Sequence, residues 1–245
     1  MEALPFNCIM FNLKKFLFPS DLTCTLCRRE KFNGGLLCDE CLKSVVANDK
    51  AICQNCGRKV SSAVEYCERC SDYKRYVDLS RSLFIYSGST RELIKRLKYD
   101  GDGYIADGFS DSLAKKAVAE IPAFDIITCV PMTKAKQKKR GYNQSELLAE
   151  KVAKRLCVDF KILLEKTCET ASQVGLKTEE RIKNLDGTFS VIDKSEISGK
   201  SVLIVDDVMT TGATSECMAK TLKKAGATKV YLLTVAHVDF DKKGI

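Results

Sequence analysis

The chain predicts an α/β fold: a parallel sheet flanked by helices, with a small metal-stabilised module in front of it. Three observations carry this. From about residue 80 onward, short runs rich in branched apolar residues alternate with segments of helical period. One of these runs, residues 202–205, is apolar without a break. The first third of the chain holds eight cysteines in a repeating pattern.

The cysteines come first. Cys24, Cys27, Cys38 and Cys41 form a C-x2-C, x10, C-x2-C unit, and Cys53, Cys56, Cys67 and Cys70 repeat it, each lying 29 residues after its counterpart. Two C-x-x-C knuckles offer four soft thiolates to one centre, a donor set that suits tetrahedral Zn2+ and also occurs around iron–sulfur clusters. Segments this short cannot bury enough apolar surface to fold alone, so a structural metal would supply the missing core. About two Zn2+ per chain are expected, with every ligand position filled by protein and no open position for a catalytic water. Cys8, Cys129, Cys157, Cys168 and Cys217 lack partner spacing and read as small apolar fillers.

The sheet follows. Strands are expected at residues 82–86, 126–130, 202–205 and 230–235, and helices at 90–99, 105–120, 144–156 and 213–225. In the third helix Leu147, Leu148, Val152 and Leu156 recur at helical spacing, and Asn143 with Glu146 reads as an N-cap and its capping-box partner. Strands alternating with helices of this length favour parallel pairing. The unbroken run at 202–205 suits a central strand buried on both faces. Ligands of such sheets gather at the carboxyl ends of the strands.

Three segments project there. In residues 202–214, VLIVDDVMTTGAT, Asp206 and Asp207 stand at the strand end and are followed by Thr210, Thr211, Gly212, Ala213 and Thr214. Small residues around a glycine let backbone N–H groups converge on an anion at a helix start. Paired carboxylates suit the vicinal hydroxyls of a ribose and a nearby Mg2+. The pattern therefore describes a site for a ribose 5-phosphate, with an acidic Mg2+ pocket of the response-regulator kind as its rival.

The second segment, residues 130–144, contains Lys134, Lys136, Lys138, Lys139 and Arg140 with no acid among them. As a loop it could neutralise a diphosphate or single-stranded nucleic acid. The third, residues 170–184, is polar with an interior glycine and reads as a surface connection or a mobile lid.

Composition bounds the rest. The chain has 245 residues, 45% hydrophobic and 29% charged, with a net charge of +8. That balance suits a folded soluble protein and raises the prior for polyanionic partners. No run approaches a membrane span and no secretion signal is legible, so the expected location is the cytoplasm, with membrane contact at most peripheral through an amphipathic segment at residues 6–18.

These segments together resemble the ComF family, competence-associated proteins in which a zinc ribbon precedes a type I phosphoribosyltransferase domain. VLIVDDVMTTGAT resembles the phosphoribosyl pyrophosphate (PRPP) motif of that superfamily. R-G-Y-N-Q at residues 140–144, L-K-Y-x-G at 97–101, and the pattern Thr170, Gln173, Leu176, Arg181, Asn184 resemble segments particular to ComF proteins.

The resemblance implies an N-terminal segment at 1–20, a double zinc ribbon at 21–78 and a phosphoribosyltransferase-like domain at 79–245. It implies that Asp206 and Asp207 hold the ribose hydroxyls, that residues 210–214 bind the 5-phosphate, and that the turn at Val130 and Pro131, with Lys134, Arg140 and Gly141, holds the pyrophosphate. Arg181 is the catalytic candidate. A histidine base is not expected, because the sole histidine, His237, reads as structural. Three functions are compatible: PRPP binding coupled to single-stranded DNA handling alongside competence-machinery proteins, a conventional phosphoribosyltransferase, and a PRPP-sensing adaptor.

Overall fold

The computed structural model describes residues 23–239 apart from 34, 62, 73–74, 100–103 and 168–186. The cysteine repeat is a structural repeat. An antiparallel bridge between Thr23 and Glu30 closes the first knuckle, and a bridge between Ile52 and Lys59 closes its counterpart. Within each, the first cysteine N–H donates to an arginine carbonyl, Cys24 to Arg29 and Cys53 to Arg58, both at 2.7 Å. The turn needs one residue in the left-handed region, occupied by Arg28 (φ 63°) and Gly57 (φ 66°). Gly57 has a further reason to be glycine, since a Cβ there would lie 2.7 Å from the Ser80 carbonyl oxygen. The last cysteine of each set sits on a short helix, Cys41 on α1 (Asp39–Leu42) and Cys70 on α2 (Glu68–Asp72).

The α/β domain follows as β1 (Leu79–Ile85), α3 (Gly88–Tyr99), α4 (Ile105–Glu120), β2 (Ile126–Cys129), α5 (Lys134–Arg140), α6 (Gln144–Leu156), β3 (Asp159–Phe160), β4 (Leu164–Lys166), β5 (Phe189–Val191), β6 (Ser201–Met209), α7 (Ala213–Lys224) and β7 (Lys229–His237). The sheet has the order β1-β7-β6-β2-β3 and every pairing in it is parallel. Leu203 and Val205 enter one core with Leu113, Leu148 and Val152 of the helices, while Val202 and Ile204 enter a second with Met218 and Leu222. That two-sided burial is why β6 lacks polar alternation.

Several expectations change. The central strand does not stop at Val205 but continues through both aspartates to Met209, because Asp206 and Val208 still pair with Thr234 and Ala236 of β7. The basic segment is not a loop. It forms α5, capped by the Thr133 side chain, which accepts from the Lys136 N–H, and ended by Gly141 at φ 88°. Lysine, alanine, glutamine and arginine are good helix formers, and their charge had masked the period. Strands β3, β4 and β5 are two or three residues long, too short to show a period. Cys129 and Cys217 are buried as expected, but Cys157 is exposed at the left-handed C-cap of α6 and engaged in a disulfide. Residues 6–18, Cys8 and Cys168 lie outside the described residues.

The ribbons pack against the domain. Ile85 donates to the Val46 carbonyl (2.8 Å), Asn48 to Leu83 (2.9 Å) and Ser80 to Asn55 (2.7 Å), which lays the ribbon module along β1, the edge strand. Leu36 presses on Gly108 of α4, where a Cβ would come within 2.4 Å of it, and the Arg96 guanidinium of α3 donates to the Thr25 carbonyl.

Candidate functional site

Parallel pairing brings the carboxyl ends of β2, β6 and β7 to one edge. Because Cys129 pairs with Val205, the chain leaves β2 at Val130 beside the point where β6 reaches Asp206. Asp206 is half-buried and Asp207 buried, at 4% exposure. The Ser145 hydroxyl donates to Asp206 Oδ1 at 2.5 Å, and the Asp207 N–H donates to the same oxygen at 2.8 Å. Burial and the adjacent Asp207 charge still push the Asp206 carboxyl up to about 7.

Asp207 Oδ2 is buried without an aligned hydrogen bond and lies 3.0 Å from the Lys98 ammonium. A buried, incompletely satisfied carboxylate oxygen next to a second carboxylate fits a sugar hydroxyl or a hard cation such as Mg2+.

Beyond Met209, Thr210 is exposed and the chain turns through Gly212 at φ 79°, a left-handed position that lets α7 start at Ala213 directly against the strand end. The N–H groups that open α7 and the helix dipole make this loop suited to an anion. The second ribbon holds the loop from behind. Arg69 Nη1 donates to the Thr211 carbonyl at 2.6 Å. Arg75 pairs with Glu216, in the first turn of α7, at 2.5 Å, with side-chain exposures of 8% and 7%. The Tyr76 N–H adds a hydrogen bond to Glu216 Oε2 at 2.8 Å, and Arg75 Nη1 lies 3.5 Å from Cys70 Sγ.

The residues after β2 form the other wall. Asn143 caps α6 by accepting from the Ser145 N–H, rather than through the box with Glu146, and its amide donates to the Val130 carbonyl at 3.0 Å. Arg140 donates to Gln144 at 2.5 Å and lies 5.0 Å over the ring of Tyr99, a residue 67% exposed. The Tyr142 hydroxyl donates to the Leu97 carbonyl.

The geometry therefore brings the residues 206–214 and the turn at Val130 and Pro131 to one edge. It adds Lys98, Ser145, Arg69, Arg75 and Glu216, none of which was singled out from sequence. Lys98 lies inside the L-K-Y-x-G segment and Ser145 follows the cap Asn143, so faint signals existed for these two. Arg69 and Arg75 carry none, since only folding brings the second ribbon to α7. Arg181 lies outside the described residues. His237 is fully buried, and burial together with Arg58 pushes its pKa down to about 4, so it is neutral.

In each ribbon the four Sγ atoms lie within 4.8 Å of one another. Cys27 and Cys38 approach to 3.7 Å and Cys56 and Cys67 to 3.6 Å, close to the edge of about 3.8 Å that a zinc–thiolate tetrahedron requires. The Arg29 guanidinium holds the Cys27 thiol down to about 6, which favours the thiolate that a metal needs. The donor sets thus fit structural Zn2+.

Comparison with known proteins reads the same two modules. Residues 13–71 match the double zinc ribbon domain and residues 142–243 the phosphoribosyl transferase domain. Competence protein F of Haemophilus influenzae is 27% identical over 208 residues, covering 82% of this chain and 90% of that protein. The chain is a homologue of the ComF competence proteins. The DNA utilization protein YhgH of Escherichia coli is 29% identical over 218 residues (84% and 93%), and competence protein ComFC of Streptococcus pneumoniae 28% over 197 residues (79% and 84%). Among solved structures, a purine phosphoribosyltransferase from Pyrococcus horikoshii is 19% identical, with a TM-score of 0.37, over 57% of this ComF homologue and 90% of that chain.

Proposed function

We propose that this ComF homologue binds PRPP with Mg2+ at the carboxyl edge of its sheet and acts in the cytoplasm on single-stranded DNA during competence, together with competence-machinery proteins. The observation that carries the PRPP reading is the pairing of half-buried Asp206 and buried Asp207 with the left-handed Gly212 loop that opens α7, all beside the Val130 turn. Asp206, oriented by Ser145, and Asp207 accept from the ribose hydroxyls. The backbone of loop 210–214 takes the 5-phosphate. Val130, Pro131, Lys134, Arg140 and Gly141 face the diphosphate. Mg2+, bound with PRPP, would neutralise the diphosphate and favour its departure.

If an acceptor is engaged, cationic side chains around the leaving diphosphate supply the main stabilisation, and Arg181 is the candidate to add to it. The DNA part of the proposal draws support from the names of the relatives, the net charge of +8, and the Arg140–Tyr99 stack beside the lysines of α5. Aromatic and basic groups in alternation suit single strands.

The test is calorimetric titration with Mg2+-PRPP and, separately, single-stranded DNA across a range of salt. PRPP binding that disappears in Asp206→Asn/Asp207→Asn, and DNA binding that weakens steeply with salt, are expected. Unchanged PRPP affinity in the double variant removes the site assignment, and DNA affinity insensitive to salt removes the electrostatic reading.

A further inference from the structure

Asp207 already has a cation. Lys98 Nζ stands 3.0 Å from Asp207 Oδ2, its side chain 23% exposed. Burial works against its charge, but Asp207 and then Asp206 outweigh it and hold the ammonium firmly protonated. A lysine is a poor permanent partner for a carboxylate whose task is to receive sugar hydroxyls, unless the ammonium also has business with the ligand.

Its surroundings say what that business is. Lys98 is in the last turn of α3, and its two neighbours touch other walls of the site. The Leu97 carbonyl receives the Tyr142 hydroxyl, and the Tyr99 ring lies under Arg140 at 5.0 Å. Three consecutive residues thus bind the turn after α5, the ribose carboxylate and the basic helix. Lys98 is the one whose charge meets the carboxylates, Asp207 directly and Asp206 beside it. Its four-carbon stem lets the ammonium swing by several ångströms without moving the helix.

When a vicinal diol reaches Asp207, hydroxyl donors satisfy the oxygen that Lys98 faces. The strongest anion then within reach of that ammonium is the diphosphate on the same sugar. We infer that Lys98 is a further substrate-contacting residue, which balances Asp207 in the free protein and turns onto a diphosphate oxygen when PRPP binds. The inference rests on the PRPP reading above and extends the site to α3, a helix N-terminal to the residues matched by the phosphoribosyl transferase domain.

The test compares two ligands at constant Mg2+, PRPP and ribose 5-phosphate, in the wild-type chain, Lys98→Met and Lys98→Arg. A lost charge-assisted contact predicts PRPP affinity about tenfold to a hundredfold lower in Lys98→Met. Ribose 5-phosphate affinity should stay within about twofold, and Lys98→Arg should restore most of the PRPP affinity, because a second cation still reaches the diphosphate. If Lys98 is only a structural counter-ion, both ligands weaken together in Lys98→Met, which overturns the inference. Unchanged PRPP affinity in that variant overturns it as well while leaving the PRPP site standing. A wild-type chain that binds no PRPP overturns both.

Discussion

Replacing Arg75 by alanine strands a carboxylate that folding has taken out of water. Glu216 is only 7% exposed, and its Oε1 rests 2.5 Å from the Arg75 guanidinium, itself 8% exposed. Removing one member of a buried pair costs about 3–5 kcal/mol, because the remaining charge keeps its desolvation penalty without its partner. The Tyr76 N–H, 2.8 Å from Oε2, survives in the variant and places the expected loss near the lower end, about 3 kcal/mol. For a chain of this size that is a fall in melting temperature of roughly 6–12 °C.

The assay is thermal and urea denaturation of zinc-loaded wild type, Arg75→Ala, Glu216→Gln and the double variant. The double variant should recover much of the loss, since it no longer buries an unpaired charge. Arg75 also approaches Cys70 Sγ at 3.5 Å, and Arg69 holds Thr211, so Arg75→Ala should release zinc from the second ribbon to a chelator faster than from the first. An Arg75→Ala chain as stable as wild type within about 0.5 kcal/mol, the scatter of ordinary surface substitutions, would refute the view that the second ribbon clamps α7.

Other consequences can be measured directly. Asp206 keeps its proton in the folded chain up to about pH 7, while an unfolded aspartate loses it near 3.8. Between those values the unfolded state binds fewer protons, so stability should fall as pH rises through the window and level off above it. Asp206→Asn should flatten that profile in melts taken across the same range. Metal analysis should return about two zincs per chain from the two four-cysteine sets, and a value near one, or an iron chromophore, would break the assignment. Gly57→Ala should destabilise the chain by more than about 1 kcal/mol in chemical denaturation, because it adds a Cβ at positive φ against the Ser80 carbonyl. Reversing Lys136, Lys138 and Lys139 to glutamate should lower the salt slope of any single-stranded DNA binding, and an unchanged slope would place that binding elsewhere.

What could be read from the sequence depended on whether a signal was local. The eight cysteines announce their sites because knuckle geometry fixes their spacing along the chain. The run at 202–205 shows its two-sided burial in its composition. The four main strands and four main helices were legible for the same reason, and their ends moved by a few residues where pairing overrode composition, as at Asp206 and Asp207. Helix α5 was hidden by charge, and the short strands β3, β4 and β5 by brevity. Lys98 and Glu216 were hidden by distance. Each looks like an ordinary solvated helix residue until α3 is brought to β6 and the second ribbon to α7. Ion pairs between residues more than a hundred positions apart leave no spacing in a single sequence.

The hydrogen bonds that Val46, Asn48 and Asn55 make with β1 carry a meaning beyond packing. A parallel sheet ends in a strand with unpaired amides and carbonyls on one side, a template onto which another chain can add. Here the ribbon module blunts that margin, and at the opposite margin β3 is only two residues long. Stripping the zinc would loosen the cover and leave Leu79–Ile85 as a bare ladder. Metal-depleted chains should therefore scatter light and sediment as multimers before the sheet itself unfolds.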